Sequence, residues 1–166
     1  SIGDWRRQNV NDMIAAVYRT IKATKPWVRF GVSPAGIACT STSVANKYGI
    51  PKCPTGSDWQ YNDIYSDPIA WVSQRTLDFI SPQIYWTLAA TTNYARATEW
   101  WSMVANKWGR HLYVSHSISS LDLSSRAPER SGTEEAIARG VAARASGTGN
   151  NTYAEYANEV LCNREN

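Results

Sequence analysis

The chain has 166 residues, 43% of them hydrophobic and 19% charged, which is typical of a water-soluble globular protein with one core of ordinary domain size. A net charge of +3, carried by scattered lysines and arginines, excludes the strongly basic surface of a nucleic-acid-binding protein. No apolar run approaches the roughly 20 residues that cross a bilayer, and the first residues lack the basic and apolar regions of a signal peptide.

Helical and strand patterns alternate in the first half of the chain. Apolar residues recur at steps of three and four over residues 9–24, which predicts an amphipathic helix, and the apolar segment 27–32 predicts a buried strand. The connection over residues 33–66 is rich in Gly, Pro, Ser and Thr, and loops of that length are usually functional or disordered. Asp67 followed by Pro68 is typical of a helix N-terminus.

The alternation continues to the C-terminal region. Strands that alternate with helices form a parallel sheet. A closed eight-stranded barrel takes about 250 residues, and three strands are predicted here, so the pattern indicates roughly the second half of a (β/α)8 barrel, with residues 1–166 as one partial domain. A small open three-layer sheet is the alternative. After the helix that begins at Pro68, the predicted elements are a strand at 78–85, a helix at 93–108, a strand at 112–117, a helix at 131–145, a loop from 147 and a short helix around 153–161.

Polar and aromatic side chains follow the apolar part of each predicted strand. Ser33 follows the first strand, Gln83, Tyr85 and Trp86 end the second, and His116 ends the third. Because active sites of (β/α)8 barrels form at the C-terminal ends of the strands, we expect one rim to hold Ser33, Asp63, Gln83, Tyr85 and His116. The chain has eight Trp and nine Tyr against two Phe, and these amphipathic rings suit surfaces that bind sugars.

The cysteines and histidines predict no metal site and no cofactor. Two histidines and three cysteines do not have the spacing of a ligand set. Cys39 and Cys53 could form a disulfide in an oxidising compartment, which would leave Cys162 unpaired.

Four segments of the chain resemble the glycosyl-hydrolase-like 10 family, also called DUF187. The resemblance extends from Asp4 to about Ser117, and weakly through the helix at 131–145. It implies a bacterial (β/α)8 barrel that is periplasmic, on the cell surface or secreted, is related to glycoside hydrolases, and in some members is linked to cleavage of cell-wall glycan. The segments are Trp5-Arg6-Arg7-Gln8-Asn9-Val10, Phe30-Gly31-Val32-Ser33-Pro34, Tyr61-Asn62-Asp63-Ile64-Tyr65-Ser66-Asp67 and Pro82-Gln83-Ile84-Tyr85-Trp86.

The resemblance implies roles for three charged residues. Asp63 matches an acidic residue of the family's Tyr-Asp-Asp-Leu-Tyr-Ala-Asp pattern and is the candidate catalytic carboxylate; the alternative is an aspartate that ties the loop to backbone amides. Glycoside hydrolysis ordinarily needs two carboxyl groups. The family's Asp-rich motif precedes the Trp-Arg-Arg segment, so we expect at least one of them outside this sequence. Arg6 or Arg7 is then expected to orient the absent carboxylates.

The remaining candidates have both a substrate-binding and a structural interpretation. Gln83 interrupts an apolar strand, where burying an amide without partners costs on the order of 1 to 3 kcal/mol, and contact with substrate is one reason to tolerate it. Tyr85 and Trp86 are a sugar platform or packing residues, and His116 is a proton shuttle, a sugar donor or a structural residue. Trp5 and Asn9 are expected to pack and to cap.

The sequence therefore predicts part of a polysaccharide hydrolase that works by two-carboxylate acid–base chemistry. A glycan-binding barrel without catalysis is the alternative. Half of a barrel has exposed strand edges and an uncovered inner face, so we expect the chain alone to self-associate and to lack glycosidase activity.

Overall fold

The fold is known from a computed structural model, which describes residues 1–86, 91–117 and 150–155. These ranges contain five helices and four strands. The helices are α1 (Ile2–Thr24), α2 (Thr42–Tyr48), α3 (Trp59–Asn62), α4 (Pro68–Ser73) and α5 (Tyr94–Lys107). The strands are β1 (Gly31–Val32), β2 (Phe79–Ile80), β3 (His111–Ser117) and β4 (Asn150–Glu155).

The four strands form one parallel sheet in the order β1-β2-β3-β4. The prediction of an α/β fold with parallel strands is confirmed, and the arrangement is compatible with part of a barrel. The expectation for the tail was wrong, because Asn150–Glu155 pairs with β3 as a strand where a loop and the start of a helix were predicted. This segment has no apolar run, so pairing with its neighbour, a tertiary effect, decides its structure.

The strand register separates two faces of the sheet. Val32, Ile80 and Leu112 are aligned in neighbouring strands, and the last two are fully buried in the core. Gly31 and Phe79 are aligned on the opposite face, since side chains alternate along a strand. One face therefore packs against the helices. The other face, which we call the inner face, carries Gly31, Phe79 and the polar strand ends.

Helix α1 begins seven residues earlier than predicted. Ser1 and Asp4 form a capping box, in which each side chain accepts a hydrogen bond from the other residue's backbone nitrogen. Asn9 consequently lies inside the helix and is no cap. Trp5 is 64% exposed, so the expectation that it packs was also wrong.

The first two strands are shorter than the apolar runs that predicted them. Trp27 is 75% exposed in the turn before β1, where the Lys22 ammonium donates to the Val28 carbonyl at 2.8 Å. Beyond β1 and β2, only isolated bridges continue the pairing. Pro34 and Pro82 account for this, because proline has no N–H to donate to a ladder.

The connection between β1 and α4 is ordered and carries α2 and α3. Asp58 fixes one part of it, since its carboxylate accepts hydrogen bonds from the Thr40 nitrogen at 2.6 Å and the Thr40 hydroxyl at 2.9 Å. The buried Gln60 amide fixes another part by donating to the Ala35 carbonyl at 2.9 Å and to the Ile37 carbonyl. Polar side chains thus hold this long segment against the sheet.

The predicted cap at Asp67 is confirmed, and the helix predicted from Asn93 begins one residue later, at Tyr94. The Asp67 carboxylate accepts from the Ala70 nitrogen at 3.1 Å and from the Tyr48 hydroxyl at 2.8 Å. Asn93 caps α5 through the Arg96 nitrogen at 3.2 Å. Short polar side chains with the capping chemistry therefore locate helix starts well in this chain.

Cys39 and Cys53 are both buried and free, so the disulfide that the sequence allowed is not formed. Burial raises the pKa of the Cys53 thiol to about 11, which disfavours the thiolate from which a disulfide forms. Cys162 and the helix predicted at 131–145 lie outside the described residues. Over the ranges that are described, none of the helices has the length and apolar character needed to span a membrane.

Candidate active-site rim

The C-terminal ends of the parallel strands lie at one edge of the sheet, and Ser33 and Gln83 meet there. The Gln83 side-chain nitrogen donates to the Ser33 hydroxyl at 3.3 Å and to the Ser33 carbonyl at 3.4 Å. The backbone of Gln83 bridges Ala35 on one side and Ser115 on the other. Gln83 is half-buried, so its amide is held by protein groups while it remains partly open to solvent.

A chain of serine hydroxyls lies on the inner face beside this amide. The Ser115 hydroxyl is 3.3 Å from the Ser33 hydroxyl and 2.8 Å from the Ser81 hydroxyl, and it donates to the Ser81 carbonyl at 3.1 Å. Ser81 and Ser115 are buried. Satisfied hydroxyls of this kind fix the spacing of three neighbouring strand ends, and through Ser33 they support the position of the Gln83 amide.

A cavity of about 380 Å³ opens on the inner face next to the serines. Phe79 and Tyr113 both line it, and their rings lie edge-on to each other with 4.9 Å between centroids. Gly31 allows this arrangement, because a Cβ atom there would lie 2.1 Å from the Phe79 ring. The cavity therefore combines aromatic walls with the hydroxyls of Ser33 and Ser81, a combination that suits a sugar.

Two arginine–tyrosine pairs join the start of α1 to the segment around α3. Arg6 lies 4.8 Å from the Tyr65 ring centroid and donates to the Tyr65 hydroxyl. Arg7 lies 4.1 Å from the Tyr61 ring centroid and donates to the Tyr61 carbonyl at 2.8 Å. Gln60 of α3 donates to the carbonyl of Ala35, which is bridged to Gln83, so these pairs lie on the same side of the sheet as Gln83.

Arg7 makes more polar contacts with the rest of the chain than Arg6 does, and it is less exposed. Arg7 also forms a 2.8 Å ion pair with Asp4, and this contact holds the pKa of the Asp4 carboxyl well below its usual range. The Arg7 guanidinium is mostly buried, whereas Arg6 is exposed. Arg6 is therefore the arginine with donors available to a substrate or to a further carboxylate.

Tyr65 has an unusual backbone conformation. Its φ is 56°, in the left-handed region, and the described residues include one other non-glycine residue of this kind, Arg75. A left-handed conformation costs a non-glycine residue on the order of 1 to 2 kcal/mol, and such strain is often found at functional sites. The ring of Tyr65 is thereby presented to Arg6.

Sequence comparisons give the family of the chain. Residues 2–129 match the family model described as glycosyl hydrolase-like 10. The chain belongs to this family. It is 36% identical over 120 residues to glycosyl hydrolase YngK of Bacillus subtilis, and 39% identical over 119 residues to glycosyl hydrolase DigH of Escherichia coli K12. Each match covers 69% of the chain but 22% and 25% of the relatives, so the chain spans about a quarter of the length of these curated relatives.

The glycosyl hydrolase-like 10 match confirms the resemblance seen in the sequence. The matched range contains every candidate site residue, from Arg6 to His116, and it ends before β4. These positions therefore belong to the part of the chain that is shared with the family.

Asp63 caps the C-terminal end of α3, and its side chain is exposed. Its carboxylate makes no hydrogen bond or ion pair with any described residue. The alternative role of tying the loop to backbone amides falls to a different aspartate, Asp58, through Thr40. The Asp63 side chain is therefore an exposed carboxylate without a structural task among the described residues.

The two aromatic candidates differ in exposure. Tyr85 is 37% exposed, while Trp86 is half-buried and packs against the core. A Cβ atom on Gly36 would lie 2.6 Å from the Trp86 ring, so the indole lies directly against that glycine. Trp86 therefore has a packing role, whereas Tyr85 is the more accessible ring. His116 lies in β3 with its backbone aligned to Ala154.

Sequence reasoning missed Ser81, Ser115 and Tyr65. The first two could have been found from the alternation in Phe79-Ile80-Ser81-Pro82-Gln83, which places Phe79, Ser81 and Gln83 on one face. Tyr65 carries no comparable signal, since its role depends on a backbone angle and on an arginine 59 positions away in the sequence.

Proposed function

We propose that the chain forms the substrate-holding rim of a glycoside hydrolase that acts on a polysaccharide. The observation that carries this proposal is the rim itself, where the Gln83 amide is fixed by Ser33 while Arg6 stacks on Tyr65. Amide, hydroxyl and aromatic groups at one edge are the groups that recognise sugar hydroxyls and sugar faces. Membership of a glycosyl hydrolase-like family and the names of both relatives support the same function.

The sheet would form part of a (β/α)8 barrel, with the remaining strands supplied by the rest of the protein. Two observations support this. All four strands are parallel, and in the described part β1 has a neighbour on one side alone. The chain also spans about a quarter of its curated relatives, so a larger protein would supply the additional strands.

Asp63 is the carboxylate proposed to take part in the reaction. The other rim carboxylates in the described ranges are already engaged: Asp4 pairs with Arg7, and Asp67 caps α4. Hydrolysis needs a second carboxyl group, about 5 Å away for retention or 6.5 to 9.5 Å away for inversion. This second group would come from outside the present sequence and would lie within reach of Arg6.

The substrate proposed is a bacterial cell-wall glycan, and the location is the periplasm, the cell surface or the medium. The resemblance to a family with such members supports both. The observed cavity agrees in chemistry with a sugar ligand and leaves the type of sugar open.

The test is an Asp63→Asn substitution in the protein that contains this chain. If Asp63 is catalytic, release of reducing ends from purified cell-wall glycan falls by at least about 100-fold, as expected for loss of an acid–base group, while glycan binding persists. The matched control is Asp12→Asn, a change of the same kind on the exposed side of α1. Binding without any hydrolysis by the unsubstituted protein would favour the non-catalytic glycan-binding alternative.

A further inference from the structure

A second cavity of about 250 Å³ lies at the opposite edge of the sheet, at the N-terminal ends of the strands. Arg29 approaches it just before β1, Asp78 just before β2, and Arg110 and His111 at the start of β3. Lys22, from the last turn of α1, completes its charged wall. The cavity is thus lined by three cationic side chains and one carboxylate.

The carboxylate is already satisfied. Asp78 accepts from the Lys22 ammonium at 2.7 Å and from the Phe30 nitrogen at 2.8 Å, and its other oxygen accepts from the Tyr18 hydroxyl at 3.4 Å. Lys22 in turn donates to the Val28 carbonyl. Asp78 and Lys22 therefore neutralise each other, and the charge of the two arginines is not balanced by them.

Both arginines have donors to spare. Arg110 makes one long contact, from Nη1 to the Leu77 carbonyl at 3.4 Å, and its Nε is buried without a partner in the described part of the chain. A buried N–H without a partner is costly, on the order of 1 to 3 kcal/mol. Arg29 is exposed and forms no hydrogen bond or ion pair with a described residue.

The geometry places the two guanidinium groups on either side of one space. Arg29 and Arg110 precede β1 and β3, which flank β2, so their backbones are about 9 to 10 Å apart, twice the usual strand spacing. Arginine side chains can reach a common ligand across that distance. Gly109 has a φ of 64°, and a Cβ atom added to it would meet no heavy atom within 4 Å, so the space beside this turn is open.

We propose that Arg29, Arg110 and His111 form an oxyanion-binding site, which takes a small phosphate or carboxylate group. Guanidinium groups bind such oxygens through paired, charge-assisted hydrogen bonds, and a bound oxyanion would supply the acceptor that the Arg110 Nε lacks. The site lies at the end of the sheet opposite to the rim with Gln83. Its existence does not depend on the proposed hydrolase activity.

The experiment is isothermal titration of the 166-residue chain with inorganic phosphate, and separately with acetate, at an ionic strength held constant with sodium chloride. We expect saturable phosphate binding that Arg29→Gln and Arg110→Gln each weaken by roughly fivefold or more, the effect of losing a charge-assisted contact. Arg19→Gln, on the exposed surface of α1, removes the same charge outside the cavity and should leave the affinity unchanged. Binding of acetate alone would identify the ligand group as a carboxylate.

A second measurement covers the case in which Arg110→Gln fails to fold. Labelling of the unsubstituted chain with phenylglyoxal, followed by mass spectrometry, should show slower modification of Arg29 when phosphate is present and no change at Arg19. Absence of saturable binding of either anion, or equal weakening by Arg19→Gln, would overturn the proposal.

Discussion

The contribution of the Arg6–Tyr65 contact to stability can be measured by comparing Tyr65 with Arg75, the second non-glycine residue with a left-handed backbone in the described part of the chain. Tyr65 and Arg75 have the same φ of 56°, and the side chain of Arg75 is exposed without a hydrogen bond or ion pair to any described residue. Substituting glycine at either position relieves the same backbone strain. The two variants differ chiefly in whether a side-chain contact is lost.

The expected changes in the free energy of unfolding follow from these terms. Relief of the left-handed strain contributes about 1 to 2 kcal/mol, and the entropy of glycine in the unfolded chain offsets about 0.5 to 1 kcal/mol of it. Arg75→Gly should therefore stabilise the protein by up to about 1.5 kcal/mol. Tyr65→Gly also loses a stacked guanidinium and a hydrogen bond, so it should be about 1 to 2 kcal/mol less stable than Arg75→Gly.

The assay is urea unfolding of both variants and of Tyr65→Phe, which keeps the ring and removes the hydroxyl. Tyr65→Phe should fall between the original chain and a variant that lacks the whole contact. If both glycine variants are stabilised by the same amount, the Arg6 contact contributes nothing to stability, and the argument that Tyr65 is held in place for its side chain fails.

Three further predictions concern packing, pH and association. Gly31→Ala should destabilise the chain by about 1 to 3 kcal/mol in urea unfolding, because its Cβ would lie 2.1 Å from the Phe79 ring; unchanged stability would show that the ring moves freely. Burial opposes ionisation of Asp78, but Lys22 and the Phe30 amide outweigh it and lower the pKa of this carboxyl. The ionised Asp78 therefore stabilises the fold above about pH 4, and this stabilisation is lost as the pH falls through the lowered pKa. Asp78→Asn should flatten the acid limb of a curve of stability against pH, and an unaltered limb would contradict this. Light scattering should show association of the isolated chain through its uncovered sheet, and a monodisperse monomer would refute that expectation.

Much of the fold could be predicted because the chain's local signals agree with its tertiary structure. Asp67-Pro68 and Asn93 lie at the starts of α4 and α5. Such starts can be recognised in a sequence because a capping side chain bonds to the backbone only two or three residues away. The capping box of Ser1 and Asp4 is an equally local signal, and α1 was predicted to start too late because this signal was not used.

The errors arise where distant parts of the chain decide the structure. Trp27 and Val28 look like a strand but lie in an exposed turn, because apolar character alone does not show what covers a residue. Asn150–Glu155 looks like a loop and becomes a strand beside β3. The candidate rim shows the same division: Gln83 was visible as a polar residue in an apolar run, whereas the serine partners and the strained Tyr65 depend on register and on contacts across the fold.

Two tryptophans of α5 have a consequence for the order in which the protein folds. The Trp101 indole nitrogen donates to the Gly36 carbonyl at 2.7 Å, and that of Trp100 donates to the Pro51 carbonyl at 2.9 Å. Both acceptors lie in the connection that follows β1. Trp101 follows its acceptor by 65 positions in the sequence and Trp100 follows its acceptor by 49, so the connection is held by residues that are synthesised later. During synthesis on the ribosome, that connection cannot reach its final form until α5 has left the exit tunnel, so the C-terminal edge of the sheet is completed only after this helix has been made.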